Sequence, residues 1–198
     1  MPKVVNHDQR RTALVEATWR IIARHGIEGT TMRQIATEAG FANGALKPYF
    51  PTKDDLLSSA FGHVFAQTSR RMQDATAGTT GLVALRAYCH EILPLDDTRI
   101  NEARIVIPFW QRALTDPAKA SLHDGAMLEW RRALQTCLTQ AREAGEVHTV
   151  VADDDIVGHL MTVVLGAQIT ALLTPAEHSP DRLISQLDGY LKLLASGD

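Results

Sequence analysis

Cysteine is scarce in this chain, with Cys89 and Cys137 the two present in 198 residues. They form no CxxC or other metal-ligand spacing, which argues against a disulfide-stapled secreted module and a thiolate metal site. Alternating Val-, Ile- and Thr-rich runs are nearly absent, so a sheet-rich fold is not expected. The eight histidines are scattered. None forms HExxH, and the adjacent Cys89-His90 pair would point about 100° apart on a helix. No nucleophile elbow, P-loop or dinucleotide fingerprint is present, so no catalytic residues, no cofactor and no metal are expected. Met1–Arg24 has no signal-peptide core, and a cytoplasmic location follows as the expectation. The most apolar run, Ile156–Leu173, is interrupted by His159, Thr162, Gln168 and Thr170. It reads as a buried helix, and no membrane partner is expected.

What is present is an ordinary globular composition, 45% apolar and 22% charged. The chain is long enough to bury a core without covalent staples. The net charge of −3 hides an asymmetry. Residues 1–53 carry eight Lys/Arg and four acids, and the remaining 145 residues carry 12 and 19. A small anion-binding head on an acidic body is the simplest reading.

Helix signals punctuate the whole chain. Thr31–Gln34 and Thr52–Asp55 have capping-box form. Asp116-Pro117 and Ser179-Pro180 put a capping side chain before a first-turn proline. Asp153–Asp155 place acid at the positive end of the apolar helix. Gly26, Gly40, Gly78 and Gly145 mark stops. Nine helices are predicted, over 8–25, 32–39, 43–48, 53–76, 79–94, 97–114, 117–144, 153–174 and 180–195. The fold class is all-α, a head over 1–52 and a body over 53–198.

The first helix carries Leu14, Val15, Thr18, Trp19 and Ile22 on one face. Ile35, Ala36, Leu46 and Phe50 oppose it. A turn at Gly40 joins two short helices, which is the helix-turn-helix arrangement whose second helix enters a DNA major groove. The stretch from Gly26 to Leu57 closely resembles the TetR family of bacterial transcription regulators. It carries Thr30-Thr31, Ile35-Ala36, Ala39-Gly40, Gly44-Ala45-Leu46, Tyr49-Phe50 and Lys53-Asp54-Asp55-Leu56 at the family spacing. The body, from Phe109-Trp110-Gln111-Arg112-Ala113 to Glu143-Ala144-Gly145-Glu146, is similar to the BetI-like C-terminal domain.

The resemblance implies roles. Thr31 and Arg33 are expected to hold a phosphate. Asn43, Gly44 and Ala45 are expected to face the groove, Asn43 at a base edge and Ala45 at a thymine methyl. Tyr49 and Lys53 match phosphate contacts. Three positions depart from the pattern. Ala42 replaces the usual capping Ser, Lys47 replaces a Tyr, and Pro48 follows it. Pro48 disfavours helix at the preceding residue, so the recognition helix should be short or distorted after Leu46. Lys47 would replace a tyrosine contact with a direct charge.

In the body, Gly158, Thr162, Gly166 and Thr170 form a small-residue stripe. Leu183, Leu187 and Leu191 follow at helical spacing on the last helix. A four-helix homodimer interface is expected from these two helices; burial inside a monomer is the alternative. The middle helices offer a pocket lined by Tyr88, Cys89, Glu91, Arg104, Phe109, Trp110, Met127, Met161 and Gln168. Such residues serve equally as core. Arg104, if buried, needs an anionic partner; pairing with Glu102 or Asp97 is the simpler outcome.

The functional expectation is a homodimeric regulator, a repressor, on a pseudo-palindromic double-stranded DNA operator. A small-molecule effector would release it, coupled through residues 53–76. The alternative is a helical small-molecule-binding protein or enzyme with a vestigial helix-turn-helix.

Overall fold

The computed structural model describes residues 7–42 and 44–196, and every regular element among them is an α-helix. The eight are α1 (His7–His25), α2 (Met32–Glu38), α3 (Lys53–Thr76), α4 (Gly81–Ile92), α5 (Asp97–Ala113), α6 (Pro117–Glu143), α7 (Asp153–Leu173) and α8 (Pro180–Ser196). The ninth predicted helix, over 43–48, does not form among the described residues. Residues 44–49 run as turns and bends. Pro48 supplies no N–H for a bond back to Gly44 and disfavours helix at Lys47. What remains is local: Ala45 N–H donates to Ala42 O at 2.8 Å, and Tyr49 and Phe50 N–H both reach Leu46 O, at 2.9 and 2.8 Å.

The caps explain where the other helices begin. Thr31 and Thr52 each close a reciprocal box, with Gln34 and Asp55. Asp116 accepts from the backbone of Ala118 and Lys119 at the start of α6. The start of α4 is capped from far along the chain. Thr80 makes no side-chain cap, and Glu146 Oε2 accepts from Leu82 N–H at 2.7 Å instead. Gly81 makes room for it. Its φ is +62°, and a Cβ there would lie 2.3 Å from the Glu146 carboxylate. Arg142 holds the loop that delivers Glu146, donating to Thr149 O at 3.0 Å and Val151 O at 2.6 Å and pairing with Asp153.

Two apolar clusters organise the chain. One unites α1, α2, Leu46 and Phe50 with the first half of α3 and with Ile105, Val106 and Phe109 of α5. The other gathers Met72, α4, the second half of α6, α7 and the inner leucines of α8. Thus α3 contributes to both, and Phe65 and Met127 pack against both. Phe61 of α3 stacks on Phe109 of α5, with ring centroids 3.9 Å apart. The head is therefore built onto α5 as well as α3. The most apolar helix, α7, is long enough to cross a membrane by composition. It packs against α4, α5 and α6 in this fold.

Candidate nucleic-acid interface and ligand cavity

Among the described residues, the head presents cations that no acid neutralises. Arg33 opens α2 and Lys47 lies in the turn segment, both exposed; Lys53, half-buried, begins α3. None of these three is in an ion pair there, whereas Arg20 is held by Glu38 at 3.1 Å. Thr31 is committed to its capping box. Tyr49 is half-buried, its ring 5.4 Å from that of His7. Gly44 is exposed and Ala45 half-buried; Asn43 lies outside the described residues. Leu46 and Phe50, each 1% exposed, anchor the turn segment between them. Arg11 lies over the Phe50 ring at 4.9 Å and donates to Ser59 on α3.

A small cavity of about 30 Å³ lies between α3, α5, α6 and α7. Phe61, Phe65, Trp110 and Trp130 give it aromatic walls, and Thr68, Glu102 and Gln168 its polar atoms. Three residues expected from sequence line it: Trp110, Met127 and Gln168. Gln168 is fixed by donating to Ile92 O at 2.5 Å. The others lie elsewhere. Tyr88, Cys89 and Met161 belong to the body core. Phe109 is sealed against Phe61. Burial pushes the Cys89 thiol up to about 12, so it is held protonated and unreactive.

Arg104 is exposed and donates to Asn101 Oδ1 at 2.8 Å. Glu102 does not pair with it. Residues two apart on a helix point in nearly opposite directions. Glu102 instead turns inward, 8% exposed, and meets Arg71 of α3. Both Glu102 oxygens accept from Arg71, at 2.9 and 2.8 Å. Arg71 also donates to Glu91 at 3.0 Å and Thr68 at 3.2 Å, and Arg99 reaches Glu91 from the far side. Arg71 and Glu102 of this network line an outer cleft of about 320 Å³, which Trp19 and Arg20 of α1 also line. Val64 and Glu102 belong to both spaces. Sequence reading missed Phe61, Phe65 and Thr68, although their spacing on α3 places them on one face. It missed Trp130 because nothing local separates a cavity wall from core.

The outer surface of the body carries the small-residue stripe. Thr162 is exposed, and Gly158, Gly166 and Thr170 are half-buried. Ile169 and Leu173 continue the stripe with 41% and 75% of their area exposed. On α8 the predicted leucines point the other way: Leu183, Leu187 and Leu191 are buried in the chain's own core. The outer side of α8 offers Tyr190, 4.4 Å from His159 of α7 by ring centroids, and Leu193, 55% exposed.

A small helical head with free cations, fused through α3 and α5 to a helical body with an aromatic cavity, is the arrangement of one-component transcription regulators. Comparison with known proteins agrees. Residues 14–60 match the bacterial regulatory proteins of the tetR family, and residues 81–196 match the C-terminal domain of BetI-type transcriptional repressors. The HTH-type regulator PksA of Bacillus subtilis is 33% identical over 187 residues, covering 92% of this chain and 88% of its own. BetI of Burkholderia lata is 32% identical over 162 residues, covering 73% and 78%. A transcriptional regulator from Rhodococcus sp. Rha1 superposes with a TM-score of 0.82 at 27% identity, covering 94% of this chain and 96% of its own. A Saccharomonospora viridis regulator in complex with choline gives 0.86 at 21% identity, covering 94% and 97%. The chain belongs to the TetR family of bacterial transcriptional regulators, whose members are not enzymes.

Proposed function

We propose that this protein is a cytoplasmic homodimeric repressor that a small-molecule effector releases from a pseudo-palindromic operator. One observation carries the reading: α5 is shared between the head's core and the cavity wall. Its Ile105, Val106 and Phe109 pack with α1 residues, and its Glu102, Val106 and Trp110 line the cavity. A guest that displaces Trp110 or Val106 acts on a helix already locked to the DNA-binding head. A second tie reinforces this. Arg112, near the end of α5, donates to Asp54 at the start of α3 at 2.8 Å and approaches Glu28 at 3.6 Å. The coupling route therefore includes α5 alongside α3.

In the proposed dimer the outer faces of α7 and α8 meet their copies across a two-fold axis. Two heads then address half-sites about one DNA turn apart. Arg33, Lys47, Tyr49 and Lys53 make the phosphate contacts, with Thr31 ordering the start of α2. Asn43, Gly44 and Ala45 meet the bases. Ligand binding favours a dimer whose heads no longer match that spacing.

The test is fluorescence anisotropy of the purified protein on DNA from upstream of its own gene, with random DNA as competitor, at two salt concentrations. Specific, salt-sensitive binding of two chains per site is the expected result. Equal, weak binding to both DNAs, followed by a random-library selection that enriches no sequence, rejects it. The vestigial-head alternative would then hold, and the turn structure of residues 44–49 is the feature that favours it.

A further inference from the structure

Two hydrogen-bond donors of the cavity wall are without acceptors among the described residues. The indole Nε1–H groups of Trp110 and Trp130 are both buried, and neither has an acceptor among the described residues. Both rings line the same cavity, and Trp130 as a whole is 8% exposed. A buried donor left unmatched costs about 1–3 kcal/mol, so two in one small space are a notable concentration. The two acceptor groups nearest the ion pair are already engaged, and neither indole reaches Gln168, whose amide N–H is held by Ile92 O. Glu102 commits both oxygens to Arg71, and Thr68 Oγ1 also accepts from Arg71.

We propose that the cavity takes an uncharged small molecule bearing a hydrogen-bond acceptor, a carbonyl compound in the simplest case, whose oxygen accepts from the Trp110 and Trp130 indoles. This rests on the reading of the body as an effector-binding domain and narrows it to one chemistry. Four aromatic rings and a carboxylate resemble a cage for an organic cation. The bidentate Arg71 guanidinium neutralises that carboxylate, so a cation entering here would meet a closed ion pair and two N–H groups presenting positive hydrogens. An apolar guest without an acceptor would leave both donors unmatched. At about 30 Å³ the cavity has room for roughly two waters. A larger guest must push side chains aside, and Met127, unbranched and half-buried, yields most readily.

The experiment uses the full chain labelled with ¹⁵N-tryptophan. It has three indole resonances, from Trp19, Trp110 and Trp130, assigned with Trp→Phe variants. The probes are acetophenone, ethylbenzene, which lacks the acceptor, and phenyltrimethylammonium, which carries the cation. Acetophenone should move the Trp110 and Trp130 indole signals downfield and leave Trp19 in place. It should bind about tenfold more tightly than ethylbenzene, the worth of a matched buried donor. Trp130→Phe, or Trp110→Phe should the first variant fail to fold, should reduce that preference to about threefold or less. Tighter binding of phenyltrimethylammonium overturns the acceptor chemistry and leaves an effector site standing. Equal binding of acetophenone and ethylbenzene overturns it as well. No response to any probe overturns it and means that water satisfies the indoles; the DNA-binding reading is judged separately by its own anisotropy test.

Discussion

Arg71 and Glu102 sit 31 residues apart on different helices and meet through two parallel hydrogen bonds at the boundary between the aromatic cavity and the outer cleft. Burial alone would lower the Arg71 pKa; Glu102 and then Glu91 outweigh it, and the guanidinium is held more firmly protonated than usual. The pair joins α3 to α5, the two helices that also carry the head.

Removing one partner strands the other. Arg71→Ala should destabilise the protein by about 2–4 kcal/mol, somewhat below the cost of breaking a fully buried pair because Arg71 keeps 30% of its side chain exposed. Arg71→Met with Glu102→Leu should recover most of the loss. Urea unfolding of Arg71→Met, Glu102→Leu and the double variant measures this. Additive losses in the double variant would mean that the two side chains do not act as a unit.

The free cations of the head predict a salt signature. Arg33→Ala and Lys47→Ala should each weaken operator binding and reduce the slope of log affinity against log salt by about one for each phosphate no longer neutralised. Neither should change the melting temperature, since neither forms an ion pair among the described residues. An unchanged slope for Lys47→Ala would place the turn segment away from the phosphates.

The proposed dimer surface is separable from the core. Thr162 is exposed, and nothing lies within 4 Å of a Cβ built at Gly166. Thr162→Arg or Gly166→Arg should therefore leave the fold intact and give monomers by light scattering at micromolar concentration. Leu187→Asp, at a position 2% exposed, should unfold the chain instead. A Thr162→Arg protein that remains dimeric would place the interface elsewhere.

Gly81 tests the long-range cap. Gly81→Ala meets both a left-handed backbone and the Glu146 carboxylate. It should cost about 2–3 kcal/mol, the sum of the conformational penalty and the missing cap. Glu146→Ala should cost about 1 kcal/mol, the cap alone. Equal losses in thermal unfolding would mean that strain at Gly81 is negligible.

His123 gives a pH dependence with a definite sign. It lies against Phe61 and Trp110, and burial lowers its pKa, with Asp124 opposing. The unfolded chain therefore takes up the proton first as pH falls. Stability should be full above the unfolded value of about 6.5 and decline as pH drops through it toward the depressed folded value. His90 is lowered for the same main reason and adds to the slope. His123→Gln should flatten the decline between about pH 7 and 5 in chemical unfolding. A variant as steep as the wild type would assign the slope to His90 and the carboxylates.

The residue pattern alone determined the helical class, the capping boxes at Thr31 and Thr52 and the family of the head, because these rest on interactions between residues a few positions apart. Pro48 belongs here in part: its missing N–H and its restriction of Lys47 led to the expectation of a helix short or distorted after Leu46, and among the described residues no regular helix forms from Gly44 onward. Which side of each helix faces which neighbour was decided by tertiary packing. Leu183, Leu187 and Leu191 have spacing that suits a dimer seam or a core equally, and packing against α4 within the body cluster chose the core. Glu102 lies beside Arg104 in sequence, yet helical rotation sends it inward to Arg71. Trp110 and Trp130 are ordinary core tryptophans until four helices bring them around one space and leave both indoles without an acceptor among the described residues.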